Sequence, residues 1–202
     1  MDNLYPFLNI AALVFFGALG SYTYIQSVMP AHLEKNIGSI AYDYCSKKRG
    51  KARFILSLST LCFILYSMIP IRIWPLDAQL FENNFIISTL VSLILLIPGT
   101  IVFILGRKAL GKESEAPKSY RRVIETGIYS KIRHPQLLGE MLFLLFFAVL
   151  FNQFFLIAFT ILFWIPNYLA WCYFEEKDLV LRFGDDYIQY QKRTKKLLPG
   201  IF

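Results

Sequence analysis

Residues 137–172, LLGEMLFLLFFAVLFNQFFLIAFTILFWIPNYLAWC, decide the fold. The stretch is almost wholly apolar and too long for one bilayer crossing, which takes about 20 helical residues. Asn152-Gln153 interrupts it near the middle. It therefore reads as a hairpin of two helices whose outer ends return to the same side of a membrane.

Working outward, three more apolar segments precede the hairpin, at residues 5–28, 54–71 and 84–106. The chain is 56% apolar with a mean hydropathy of +0.48. The expectation is an all-α integral membrane protein. Five transmembrane helices form one domain, residues 1–104 as a scaffold and 105–202 as the part that carries the candidate functional groups. The first segment does not read as a signal peptide: Asp2 precedes it, no basic residue does, and the apolar run is too long. Pro30 and Pro70 are expected to close the first and second helices. Trp74 reads as an interfacial anchor. Pro98-Gly99 should kink the third. Residues 112–118, with Pro117, read as a loop, and residues 178–191 as a C-terminal amphipathic helix on the membrane surface or over the site.

Charge sets the orientation. Lys47, Lys48, Arg49, Lys51 and Arg53 lie between the first two segments, and Arg107, Lys108, Arg121, Arg122, Lys131 and Arg133 precede the hairpin. Lys192, Arg193, Lys195 and Lys196 follow it, while the connection after residue 71 holds only Arg72. Basic and uncharged connections alternate, which by the positive-inside rule puts the N-terminus outside and the basic ends in the cytoplasm. The net charge of +7 is better explained by anionic lipid headgroups than by nucleic acid. Three scattered cysteines and two histidines offer neither a disulfide framework nor a metal site.

Functional groups gather at the hairpin's cytoplasmic ends. Pro135 suits a first helical turn and holds His134 just outside it, at a helix N-terminus that favours anions. Glu175-Glu176 should sit at the end of the last helix, returned by the hairpin to the level of His134. Adjacent residues do not share a helix face, so one glutamate is expected to face the site and the other to pair with a cation outside. Glu140, one turn into the hairpin and just after Gly139, faces either a cavity or the near interface.

These residues resemble the membrane methyltransferase family of isoprenylcysteine carboxyl methyltransferases and phospholipid N-methyltransferases. The resemblance runs from residue 105 to the C-terminus. It rests on Leu105-Gly106-Arg107, Gly127-Ile-Tyr129, Arg133-His134-Pro135 with Gly139, Glu175-Glu176-Lys-Asp-Leu179, Phe183-Gly184, Tyr187 and Pro199. It implies S-adenosylmethionine at the cytoplasmic membrane edge, bound by Arg121, Val123, Ile124, Tyr129, His134, Pro135, Leu137 and Glu175. It also implies a hydrophobic, lipid-like acceptor. Glu140, from its own position inside the hairpin, is the catalytic candidate if the nucleophile is an amine. Leu137 replaces the family's tyrosine and Arg121 its usual histidine. Trp171, at the substrate position, replaces the arginine of prenylcysteine enzymes. No strand followed by GxGxxG occurs, so a Rossmann-type cofactor site is not supported. A sterol-reductase-like NADPH enzyme, an inactive scaffold of the same fold and a transporter are the alternatives.

Overall fold

The computed structural model describes residues 4–68, 76, 78–82, 84–111 and 122–198. Pro70, Arg72, Trp74, the 112–118 stretch with Pro117, Arg121 and Pro199 lie outside the described residues. The elements in chain order are α1 (Leu4–Ser27), α2 (Pro30–Ile37), α3 (Ile40–Met68), α4 (Phe85–Leu110), a 3-10 turn (Gly127–Ser130), α5 (Pro135–Leu150), α6 (Phe154–Phe159), a π-helical turn (Thr160–Trp164), α7 (Ile165–Phe183) and α8 (Asp185–Arg193).

Among the described residues, four helices are long and apolar enough to cross a membrane: Leu4–Ser27, Ile40–Met68, Phe85–Leu110 and the continuous run Phe154–Phe183. α5 is apolar but has 16 residues. At about 1.5 Å per residue it is shorter than a hydrocarbon core. Pro135 fixes its start, and Asn152, with φ of 55°, turns the chain just past its end. Ile94, Ile97 and Leu162 stand out from the bundle with 71%, 59% and 77% of their surface exposed. Such apolar projections suit lipid and not water.

The expected hairpin is present, and its turn is locked from outside. The Asn152 side chain accepts from the Phe81 N–H at 2.8 Å and donates to the Phe81 carbonyl at 2.7 Å. The Phe154 N–H donates to the Ala78 carbonyl at 2.8 Å. The α3–α4 and α5–α6 connections thus meet at one end of the bundle. The opposite end gathers α2, the ends of α4 and α7, the start of α5, and α8.

Several local expectations need correction. α1 ends at Ser27, just ahead of Pro30 as expected, but Pro30 also occupies the first turn of a further helix, α2, where its missing N–H costs nothing. α3 begins at Ile40, well before the apolar run, because the basic stretch 47–53 is itself helical. Pro98 lies inside α4. A discontinuity the sequence did not lead one to expect falls at the π-helical turn, where the Ile165 N–H bonds to Thr160 just ahead of Pro166. Proline cannot donate to the carbonyl four residues back, and a wider turn absorbs the fault. The helix expected over 178–191 is split by Gly184, whose φ of 58° ends α7 and starts α8 at a new angle.

Glycine brings α4 and α5 together. A Cβ on Gly139 would stand 2.7 Å from the Phe103 Cβ and 2.9 Å from the Gly99 carbonyl oxygen. Small residues at such a seam let two membrane helices approach closely. Gly139 therefore serves helix packing, and nearer the start of α5 Pro135 and Gln136 pack against Gly106 of α4.

Candidate functional site

The approach to α5 is built by backbone pairing with the C-terminal segment. Arg133 and His134 donate their N–H groups to the carbonyls of Lys195 and Lys196, at 2.9 and 3.1 Å. The Tyr190 hydroxyl of α8 donates to the buried Tyr129 carbonyl at 2.7 Å. The 3-10 turn that carries Tyr129 opens on Gly127, whose φ of 62° favours glycine. This framework holds His134 as the residue just before α5.

The two glutamates divide their work as adjacent helical positions must. Glu176 is a buried hub. Its Oε1 accepts from Arg133 Nε at 2.7 Å and lies 3.0 Å from His134 Nε2. Its Oε2 accepts from Gln191 Nε2 at 3.4 Å and pairs with Lys196 Nζ at 3.5 Å. Arg133 also donates to the carbonyls of Gln191 and Thr194. Glu175 turns toward the cleft, with its Oε2 3.6 Å from His134 Nδ1 and about a third of its side chain exposed. The second glutamate does pair with cations, Arg133 and Lys196, but it does so from a buried position and not at the outer surface. Nor do the glutamates sit at a helix end, because α7 continues to Phe183. A penalty from the helix dipole is confined to a last turn, so it does not arise here.

His134 lies between these carboxylates. Burial disfavours its protonated form, but the neighbouring Cys172, Glu176 and Glu175 outweigh that and push its pKa up to about 10. A raised folded pKa stabilises the protein fully below the unfolded value near 6.5. That contribution is lost as pH rises through about 10. Thermal unfolding in detergent should show the protein less stable at pH 10.5 than at pH 7 by ~1 kcal/mol or more. Loss of that difference in His134→Gln would assign it to this residue, and its persistence would exclude the residue.

A cleft opens between the two halves of the chain. Val123, Ile124, Tyr129, His134, Leu137, Glu140 and Glu175, all singled out from the sequence, line it. Pro135 packs beneath, where a Cβ on Gly106 would come within 3.1 Å of its ring. Trp171 stands one layer back, buried, with its ring 4.4 Å from that of Tyr24, which does line the cleft. Arg121 is outside the described residues.

Sequence reasoning missed the wall from the first half: Tyr24, Val28, Pro30 and Arg49. Arg49 belongs to a basic run that also obeys the positive-inside rule, so charge alone did not single it out. Asp178 was missed as well. It is buried, and its Oδ1 accepts from the His32 N–H at 2.8 Å, which fastens the start of α2 to α7. A signal existed for the α7 wall. Glu175, Asp178, Leu179 and Arg182 follow i, i+3, i+4, i+7 spacing, and all four line the cleft.

Residues 87–186 match the family model of the phospholipid methyltransferases. No curated protein and no solved structure matches this chain.

Proposed function

We propose that this chain, whose residues 87–186 belong to the phospholipid methyltransferase family, is an integral membrane enzyme that methylates a lipid or other hydrophobic acceptor from S-adenosylmethionine. The single observation that carries the reading is the cleft itself: residues of the matched region from α5, the 3-10 turn and α7 converge there. The donor set fits the cofactor. Glu175 offers a carboxylate to a sulfonium cation, tyrosine rings offer aromatic faces to it, and Val123, Ile124 and Leu137 offer an apolar slot to adenine. When bound, S-adenosylmethionine supplies a methyl carbon activated by the adjacent sulfonium.

The chain's residues would do the rest. α5 joins the four long helices as a fifth, short crossing, so the hairpin brings both of its ends to the cleft. The basic ends of α3 and α4 and the basic tail lie at that same end, which makes it the cytoplasmic face and puts the N-terminus outside. The seating of the acceptor from the bilayer supplies orientation, which is worth much of the barrier. Glu140, deeper along α5 than His134, takes the proton that an attacking amine gives up.

Calorimetric titration of the detergent-solubilised protein should detect S-adenosylhomocysteine and not NADPH; the opposite pattern would replace the reading with a reductase. A labelled-methyl assay on a total lipid extract then identifies the acceptor. Glu140→Gln should lower kcat about 100-fold with S-adenosylhomocysteine affinity unchanged. Full turnover in that variant would remove Glu140 from the chemistry.

A further inference from the structure

Arg49 lies in the first half of the chain, outside the residues matched to the family, yet it lines the cleft. Its Nη2 donates to the Ser27 carbonyl at 3.2 Å, which fixes the guanidinium at the end of α1. Its Nε is buried and has no hydrogen-bond partner among the described residues. Buried donors are almost always satisfied, and one left open beside a cavity needs an explanation.

The other guanidinium groups of the cleft are differently placed. Arg133 is taken up by Glu176 and main-chain carbonyls. Arg182 stacks over the rings of Tyr42 and Phe183. Arg122 is exposed at the rim. Arg49 instead stands near Tyr24, which is also within electrostatic reach of Glu140 and Glu175. The cleft thus offers carboxylates for a cationic centre and, at Arg49, a guanidinium for an anionic one.

We propose that Arg49 binds the anionic oxygens of a ligand in the cleft, either a carboxylate or a phosphodiester. The proposal rests on the cleft being a ligand site, as in the proposed function. A guanidinium held on one side by a carbonyl is preorganised, and its remaining donors form charge-assisted bonds to such oxygens. Two sources carry this chemistry: the amino-acid carboxylate of the methyl donor, and the headgroup phosphodiester of a lipid reaching in from the bilayer.

Calorimetric titration of the full-length protein in detergent, with two pairs of probes, separates them. S-adenosylhomocysteine carries the carboxylate and 5′-methylthioadenosine lacks the amino-acid end. Dihexanoylphosphatidylglycerol carries the phosphodiester and dihexanoylglycerol lacks it. Arg49→Gln should weaken one anionic probe at least tenfold and leave its anion-free partner unchanged, and Arg49→Lys should recover part of the loss. A loss confined to the nucleoside pair assigns Arg49 to the donor, and one confined to the lipid pair assigns it to the acceptor. Identical behaviour of Arg49→Gln and the wild type on all four probes overturns the proposal and leaves Arg49 as a strut for the end of α1. If Arg49→Gln does not fold, Arg49→Met, which keeps the apolar stem, replaces it and is read in the same way, and equal wild-type affinities within both pairs overturn the proposal in any case. Failure of the wild type to bind either nucleoside sinks the cofactor reading alone, because the lipid pair still tests Arg49.

Discussion

Glu176→Ala should destabilise the folded protein by ~3–5 kcal/mol, the usual cost of removing one partner from a buried ion pair. Four side chains converge on this carboxylate: Arg133, His134, Gln191 and Lys196. With alanine in place, Arg133 and His134 remain buried with their positive charges uncompensated. The loss would also release the C-terminal segment, because Arg133 and His134 donate their N–H groups to it. Thermal unfolding followed by circular dichroism in detergent measures the effect. Glu176→Gln keeps an acceptor for Arg133 and should lose less. An unchanged melting temperature for Glu176→Ala would show that water or a shifted Glu175 takes over the pairing.

Glu175→Gln should act on binding and leave the fold intact. The side chain is about a third exposed and faces the cleft, with His134 Nδ1 at 3.6 Å. A carboxylate there discriminates by charge. S-adenosylmethionine carries a sulfonium, and S-adenosylhomocysteine has a neutral thioether in its place. The variant should bind S-adenosylmethionine at least ~10-fold more weakly, a loss of about 1.4 kcal/mol, while S-adenosylhomocysteine changes much less. Titration of both ligands against wild type and variant gives the comparison. An equal loss for the two would assign Glu175 to a part of the cofactor that they share.

The two glutamates also show what kind of information the sequence holds. Their adjacency was enough to expect that they face different ways, since helical neighbours stand about 100° apart. It was not enough to identify the partner. Arg133 lies 43 residues from Glu176 in the chain, and His32 lies 146 from Asp178. No local period reports contacts of that range. The expected helix end after Glu175-Glu176 failed for a related reason. Charged residues ended the apolar pattern but not the helix, because tertiary partners satisfy the charges and let α7 run on to Gly184.

The sequence by itself determined the membrane class, the helical segments and the hairpin. These follow from the length of apolar runs, and a bilayer imposes that length on any chain that crosses it. It also singled out Tyr129, His134 and Glu175, which line the cleft, through a motif whose order is local. Only the tertiary structure decided that Tyr24 and Arg49 close the cleft from the other half, that Glu176 holds the frame while Glu175 faces the cleft, and that Trp171 stands behind the cleft. Those outcomes depend on the close approach of helices across a seam such as Gly99–Gly139 and on buried charges finding partners far along the chain. Both are properties of the packed bundle.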